Sequence, residues 1–188
     1  MANIQWRLAV PDRHEFHMAG GKGASELETG PGASRSNPRR ERRMSLNGHY
    51  ERDNIFARIV RGEIAAARVY EDDETLAFMD AFPQARGHTL VIHKHAAARN
   101  LLDIDAQALT ALILTVQKVT RAIRSSLEPD GVMVSQFNGA PAGQTIFHLH
   151  FHIIPRWDGV SLSAHGAGGM ANTAALNQLA ATIAEQID

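Results

Sequence analysis

The sequence predicts an α+β domain in which a five-stranded antiparallel sheet packs against two main helices. Three observations indicate this class: short apolar segments separated by turn residues, a long amphipathic helical pattern in mid-chain, and a second one near the C-terminus. At 188 residues, the chain is long enough for one domain with a real core and too short for two comfortable ones.

Five apolar segments have the length and the flanking turn residues of β-strands. The acidic run at 71–74 and the Pro and Gly residues within 83–87 separate the first three segments, which favours antiparallel neighbours joined by short turns. The predicted strands are 67–70, 76–80, 88–92, 132–137 and 145–154.

Three helices are predicted from apolar residues that recur at spacings of three and four. A short first helix begins at a cap on Asp53. The long helix starts behind Asp103 or Asp105, and the last one behind Asn172 or Thr173. Their apolar positions are, in order, Ile55, Phe56, Ile59 and Val60; Leu109, Leu112, Val116, Val119 and Ile123; and Leu176, Leu179, Ile183 and Ile187.

Residues 1–50 differ in composition from the rest and are predicted to be a disordered or non-native extension, with the folded domain at 51–188. The segment 19–43 is rich in Gly, Ser, Pro, Arg and Glu and has no helical or strand period, so it buries too little apolar surface to order itself. The basic run at 38–43 has the composition of a nucleic-acid arm, but a solvated tail is favoured because the run is short and interrupted by an acid.

Composition excludes several classes of function. The chain has no cysteine, which rules out disulfides, thiol catalysis and a thiolate zinc site. A net charge of −1 gives no general attraction to nucleic acid or to an acidic membrane surface. No segment has the apolar length of a membrane span, and the N-terminus lacks the pattern of a secretory signal, so a cytoplasmic protein is expected.

Three histidines alternate with apolar residues in the fifth predicted strand. Because side chains alternate between the two faces of a strand, His148, His150 and His152 share one face at spacings of roughly 6–7 Å. The other face carries apolar side chains, namely Leu149, Phe151 and Ile153. Packing gives no reason to align three groups that titrate near neutrality, so the row indicates chemistry.

Two chemistries fit such a row: metal binding by imidazoles, or attack of a neutral imidazole on phosphorus with a second histidine as proton donor. The loop at 138–145 favours the second. It is rich in small residues, contains Gly139 and Gly143, and precedes the strand directly, so its backbone N–H groups are predicted to form an anion site beside the histidines.

The run His148-Leu149-His150-Phe151-His152-Ile153-Ile154 resembles the signature of the histidine-triad (HIT) family, and the segments 54–64, 76–80 and 87–92 resemble that family's nucleotide pocket in its usual order. The resemblance covers about residues 53–157, and the remaining tail resembles the C-terminal extension of many bacterial members. It implies a sheet extended across a homodimer. It also implies a hydrolase or nucleotidyl transferase, such as a phosphoramidase, that cleaves a nucleoside monophosphate from a phosphoramidate, anhydride or ester.

The resemblance also implies residue roles. His150 matches the nucleophile, His152 the residue that protonates or binds the leaving group, and His148 and His88 the supports of the imidazole array. Asp80 matches the carboxylate that grips the ribose hydroxyls, although alone it also fits a turn residue. Phosphate contacts are implied for Asn138, Gly143, Gln144 and Thr145. The base pocket is implied at Phe56, Ile59 and Phe78, which without the resemblance would be plain core.

The sequence departs from the family in its zinc motif. Many bacterial relatives carry Cys-x-x-Cys near the first helix, where this chain has Asn54 and Ala57, so that structural zinc is not expected. His93 replaces the family's usual proline and forms with His95 a pair that suits adventitious metal or, more simply, solvent.

The expected ligand is a purine nucleotide, with no required cofactor and with magnesium only as part of a polyphosphate substrate. No metal site, membrane partner or specific nucleic acid is expected. Two alternatives stay open at this point: a metal-dependent hydrolase with the three histidines as ligands, and a nucleotide sensor that binds without turnover.

Overall fold

The computed structural model describes residues 46–188, so the predicted N-terminal extension lies outside the described residues up to residue 45. Five strands form one sheet in which each neighbouring pair is antiparallel. They are β1 (Arg68–Glu71), β2 (Thr75–Met79), β3 (Thr89–His93), β4 (Gly131–Ser135) and β5 (His150–Arg156). Their order is β1-β2-β3-β5-β4, which places β5 inside the sheet and leaves β4 at an edge. The predicted α+β class is confirmed.

In the described part of the chain, three α-helices accompany the sheet: α1 (Ile55–Val60), α2 (Ala106–Leu127) and α3 (Thr173–Ala184). The last two are the main helices that the sequence predicts, and a short 3₁₀ turn occupies Ala140–Ala142. Among residues 46–188, no helix has both the length and the apolar composition that crossing a bilayer requires.

The helix starts agree with the sequence except at α1. The predicted cap on Asp53 is wrong, because the side chain of Asn54 accepts the N–H groups of Phe56 (3.1 Å) and Ala57 (3.0 Å). Asp53 instead forms an exposed ion pair with Arg61. The caps of α2 and α3 are Asp105 and Asn172, one of the two candidates predicted for each.

The fifth strand is shorter than the prediction of 145–154 and begins only at His150. Before that point the backbone is bound by loops instead of by β3. The N–H of Leu149 donates to the carbonyl of Ala98 (2.8 Å), and the carbonyl of Ile146 accepts from the Gln144 side chain (3.0 Å). His148 therefore lies just outside the strand, and only two of the three histidines follow the strand alternation.

Both faces of the sheet are covered. Helices α2 and α3 pack on one face, where the core includes Ala77, Val91, Leu112, Val119, Ile123, Leu149, Ile153 and Ile183. Helix α1 covers the other face with a smaller cluster of Phe56, Ile59, Leu76, Phe78, Leu90 and Ile92. Ladder partners share a face, and His150 pairs with Ile92 while His152 pairs with Leu90. Both histidines therefore lie on the α1 side of the sheet.

Residues 46–50 contact the domain, although the sequence-based boundary placed them in the N-terminal extension. The carbonyl of Leu46 accepts from the Asn100 side chain (3.0 Å), and the carbonyl of His49 accepts from the guanidinium of Arg99 (2.8 Å). The Tyr50 hydroxyl lies 2.6 Å from Nδ1 of His148. These contacts join the segment to buried residues of the domain.

Two deletions test the boundary. Removing residues 1–43 is expected to leave the melting temperature unchanged, since composition predicts no ordered element there. Removing residues 1–50 leaves the buried donors of Arg99 and Asn100 without these acceptors, which we expect to lower the free energy of unfolding by at least about 2 kcal/mol. Calorimetry of both proteins measures this, and equal melting temperatures for the two deletions would contradict it.

Candidate active site

The four histidines expected at the site, His88, His148, His150 and His152, are all at most 7% exposed. Three of them form a connected series. The ring centres of His150 and His152 are 4.9 Å apart, and Nδ1 of His152 is hydrogen-bonded to Nε2 of His88. The structure therefore brings together the predicted imidazole array and covers it from water.

The tautomer of His150 follows from one hydrogen bond. Its Nδ1 lies 2.7 Å from the backbone carbonyl of His148, and a carbonyl oxygen can only accept, so Nδ1 carries the proton. In a neutral imidazole the other nitrogen, Nε2, then holds a free lone pair. The ring of Phe56 packs edge-on at 5.0 Å and fixes the plane of this imidazole.

His148 uses both of its ring nitrogens within the protein. Nε2 donates to the carbonyl of His93 (3.1 Å), so Nδ1 is the acceptor for the hydroxyl of Tyr50 at 2.6 Å. His148 therefore offers no lone pair to a ligand in this arrangement. Its backbone carbonyl orients His150, and its role as a support of the array stays a prediction.

His88 and His152 form an ordered donor chain. The N–H of Gln84 donates to Nδ1 of His88 (3.2 Å), which leaves the proton of a neutral His88 on Nε2. That nitrogen lies 2.9 Å from Nδ1 of His152, which must accept. A neutral His152 then carries its proton on Nε2, in a ring whose centre is 4.9 Å from that of His150.

Burial keeps these imidazoles uncharged. Desolvation lowers the pKa of His88 to about 4, of His148 to about 4 and of His152 to about 3, and it also lowers the pKa of His150. The carboxylate of Asp80 opposes this shift at His88 without cancelling it. At neutral pH the array therefore consists of neutral rings, and neutrality is what a nitrogen nucleophile needs.

Asp80 follows β2 and is 5% exposed. Its Oδ1 accepts a hydrogen bond from the N–H of Phe82 (2.8 Å), and its Oδ2 accepts one from Nε2 of His165 (3.0 Å). The same Oδ2 lies 3.5 Å from Nδ1 of His88. The first bond is the turn contact that the sequence offered as the alternative role of this residue. The second brings in a histidine that the sequence analysis missed.

His165 lies in the segment after β5, and its ring is 6.2 Å from that of His88 and 6.3 Å from that of His152. Small residues surround it in the sequence and no motif includes it. The only available signal was a single histidine downstream of a histidine-rich strand. Tyr50 was missed for a related reason, since it was assigned to the extension.

The predicted base pocket is a compact apolar group on the same face. Phe56, Ile59 and Phe78 belong to one buried cluster, the rings of Phe56 and Phe78 meet at 5.5 Å, and Phe56 also contacts His150. An aromatic ring thus packs against the His150 imidazole, and contact of this group with a base stays a prediction from the resemblance.

The loop before β5 is held by the side chain of Gln144, which is 2% exposed. Its amide donates to the carbonyl of Arg99 (2.6 Å) and accepts the N–H of Gly139 (2.8 Å). Gly143 adopts a φ of 101°, which closes the turn and disfavours any side chain there. Gln144 thus shapes the loop in this structure.

Two further residues of the predicted phosphate loop differ in their surroundings. Asn138 accepts the N–H of Leu101 (3.0 Å), which holds the loop to the neighbouring chain. Thr145 is exposed. Contacts of all four loop residues with phosphate remain a prediction from the resemblance.

Two groups of side chains contain residue types that bind metals. Within residues 46–188, Asp80, His88 and His152 present potential ligand atoms within 4.8 Å of one another. Both nitrogens of His88 and Nδ1 of His152 take part in the hydrogen bonds described above. The pair His93 and His95 is turned to the backbone: His93 Nδ1 accepts two N–H groups, and His95 Nε2 donates to the carbonyl of Asp73 (2.8 Å).

Comparison with known proteins gives consistent results. The family model of the HIT domain matches residues 61–159. The chain is similar to the curated "Protein hit" of Bacillus subtilis, at 41% identity over 109 residues that cover 58% of this chain and 74% of the relative. It is also similar to a solved HIT-like protein involved in cell-cycle regulation from Bartonella henselae, with an unknown ligand: TM-score 0.71, 46% identity, 74% of this chain and 100% of the other covered.

Two further solved structures are similar to this chain. One is a hypothetical histidine triad nucleotide-binding protein from Sulfolobus tokodaii, with a TM-score of 0.63, 34% identity and coverage of 70% of this chain and 89% of that one. The other is a Zn-bound histidine triad family protein from Mycobacterium smegmatis, with a TM-score of 0.61, 34% identity and coverage of 71% and 94%.

The lowered pKa values predict acid sensitivity. An unfolded histidine titrates near 6.5, so below that pH the unfolded chain takes up protons that the folded array refuses. Stability should therefore be full above about pH 6.5 and fall as the pH is lowered toward about 4. Denaturant unfolding at several pH values measures this, and stability that stays constant or rises on acidification would contradict it.

One variant tests how much a single imidazole contributes to this pH dependence of the unfolding free energy. His148→Gln removes one buried imidazole, so the slope of unfolding free energy against pH should fall by up to about 1.4 kcal/mol per pH unit. The comparison concerns the slope and not the absolute stability, which the variant also changes.

Proposed function

The chain belongs to the HIT family, and from that premise and the tautomer of His150 we propose a nucleotide hydrolase or nucleotidyl transferase that works through a covalent nucleotidyl-histidine. Family membership supports a nucleotide-binding hydrolase or transferase in general. The observation that carries the specific proposal is the 2.7 Å bond from His150 Nδ1 to the His148 carbonyl, because it leaves Nε2 as a fixed, unprotonated nucleophile.

In the first step, His150 Nε2 attacks the phosphorus of the bound nucleotide. A nitrogen–phosphorus bond forms, the bond from phosphorus to the leaving atom breaks, and the Nε2 proton of His152 passes to that atom. The attacking ring becomes cationic, and its Nδ1–H then makes a charge-assisted hydrogen bond to the His148 carbonyl.

In the second step, water attacks the phosphorus of the adduct and its proton passes to Nε2 of His152, which lost one in the first step. The phosphorus–nitrogen bond breaks, and His150 regains its lone pair. An acceptor other than water would make the same reaction a transfer. A neutral ring that gave up its single proton would become an anion, so Nδ1 of His152 must take up a proton along its bond to His88 Nε2 as Nε2 gives one up.

The remaining roles are proposed from the resemblance and the positions of the residues. A purine base packs against Phe56, Ile59 and Phe78, beside His150. The ribose hydroxyls donate to Asp80, and the phosphate lies at the loop of Asn138, Gly143, Gln144 and Thr145. The reaction requires no cofactor, magnesium enters only with a polyphosphate substrate, and the protein acts in the cytoplasm.

The two alternative functions make different demands on the site. A metal held jointly by the triad histidines needs three lone pairs, but both nitrogens of His148 and Nδ1 of His150 are committed to partners within the protein. A nucleotide sensor needs binding without turnover. Product release from an adenosine phosphoramidate and from diadenosine polyphosphates, with and without EDTA, separates the three functions.

Replacing the nucleophile is the direct test. His150→Ala should lower the rate by several orders of magnitude, because removing a nucleophile eliminates the covalent route. Its apolar neighbours Leu149 and Ile153 still anchor the strand, so the melting temperature should show a folded protein. His95→Ala, at an exposed histidine outside the site, serves as the matched control. Wild-type hydrolysis by His150→Ala would reject the mechanism.

We also propose that two copies pair through β4. This strand is an edge of the sheet, and Met133 and Val134 are 37% and 42% exposed on it, whereas the opposite edge strand β1 begins and ends with the exposed charges of Arg68 and Glu71. Antiparallel pairing of two β4 strands would give the backbone groups of this edge hydrogen-bond partners and continue the sheet into the second copy.

A charge on that edge tests the pairing. Val134→Lys should convert a dimer to a monomer in sedimentation measurements, because a lysine on an edge strand disfavours pairing. Met170→Lys, at a residue 72% exposed in the C-terminal segment, is the control and should leave the mass unchanged. A monomeric wild-type protein, or a dimer that Val134→Lys does not alter, would contradict the proposal.

A further inference from the structure

Residues 160–171 follow the region that the family model matches, yet they are fastened to the active site. The side chain of Gln84 donates to the carbonyl of Ser163 (2.8 Å), and the N–H of Ala171 donates to the carbonyl of Ala81 (2.9 Å). Both anchors lie in the turn after Asp80. In the sequence His165 lies between Ser163 and Ala171, so these two hydrogen bonds hold its ring next to the Asp80 carboxylate.

The polar groups from His165 inward form a row. His165 Nε2 is 3.0 Å from Asp80 Oδ2, the same oxygen is 3.5 Å from His88 Nδ1, and His88 Nε2 is 2.9 Å from His152 Nδ1. The outer end is open, since the His165 side chain is 45% exposed, whereas the Asp80 and His88 side chains are 6% and 0% exposed. The 3.5 Å gap lies between two acceptors at rest, the Asp80 carboxylate and the Nδ1 of His88 that accepts the Gln84 N–H, and it becomes a hydrogen bond when Asp80 holds a proton.

We infer that His165 is a positioning residue for proton transfer, the solvent end of a relay that runs through Asp80 and His88 to His152. The inference rests on the proposed function, in which His152 gives a proton to the leaving group. It assigns a role to a segment outside the family domain and to a histidine outside the triad.

The relay balances protons. When His152 Nε2–H passes to the leaving atom, His152 Nδ1 takes the proton of His88 Nε2, and His88 Nδ1 takes one from Asp80, which receives it from His165 Nε2. Water supplies a proton to His165 Nδ1. One proton enters from solvent and one leaves on the product, and each ring ends as its other neutral tautomer. Hydrolysis of the adduct drives the same row in reverse.

Burial explains why the site needs such a row. A general acid that must already be charged would be scarce here at neutral pH, since desolvation lowers the pKa of His152 to about 3 and of His88 to about 4. A relay avoids a resting imidazolium, because each imidazole accepts on one nitrogen while it donates from the other. The ribose remains accommodated, since a carboxylate has about four lone-pair positions and Oδ1 and Oδ2 use one each here.

The experiment compares His165→Ala with His165→Gln in the full-length protein. Glutamine keeps a side-chain N–H for Asp80 but cannot pass a proton through, so it separates holding the carboxylate from relaying. Each variant is assayed on two adenylyl substrates, one with a weakly basic nitrophenolate leaving group and one with a strongly basic alkylamine. His95→Gln is the control outside the row.

We expect both His165 variants to slow release of the alkylamine by roughly tenfold or more, with little change for the nitrophenolate, because a proton matters most to a basic leaving group. Added imidazole should restore much of the alkylamine rate in His165→Ala. Full activity of His165→Gln would show that the ring only holds Asp80. Equal losses on both substrates, or no loss, would also overturn the relay.

Failure of the relay is distinguishable from failure of the proposed function. If the wild-type protein releases product from neither substrate, or if His150→Ala does so at the wild-type rate, the nucleophilic mechanism itself is wrong. If His150→Ala is inactive and the His165 variants behave like wild type, only the relay is wrong.

Discussion

The hydrogen bond from His150 to the backbone carbonyl of His148 is the constraint on which the rest of the site depends. It decides which nitrogen holds the lone pair, and it exists because His148 leaves the strand ladder just before β5 begins. His148 is in turn fixed at both nitrogens, by Tyr50 and by the carbonyl of His93. The orientation of the proposed nucleophile is thus set by backbone geometry two residues away and by a tyrosine from the segment that precedes α1.

Burial of the four imidazoles affects both the stability of the fold and the chemistry of the site. Four imidazoles out of water lose hydration, which lowers their pKa values and makes the fold sensitive to acid. The same desolvation keeps the proposed nucleophile neutral and strengthens each hydrogen bond in the row. Phe56 contributes to both, since it packs on His150 and belongs to the apolar cluster under α1.

The sequence predicts most of the fold because its signals are local: the spacing of Leu112, Val119 and Ile123 in α2, or strand segments bounded by turns. It misplaces the start of β5, because the competing partner of Leu149 is the carbonyl of Ala98, about fifty residues away. His165 and Tyr50 escape prediction for the same reason. Neither belongs to a periodic pattern, and each reaches the site only through contacts between distant segments.

Whether His150 forms a bond to phosphorus is decided by the stereochemistry of hydrolysis. Attack by imidazole and then by water, each in line, inverts the phosphorus twice. A chiral phosphorothioate substrate should therefore give product with retained configuration, together with an acid-labile adduct that maps to His150. Net inversion would mean direct attack by water, with His150 acting as a base, and would contradict the account.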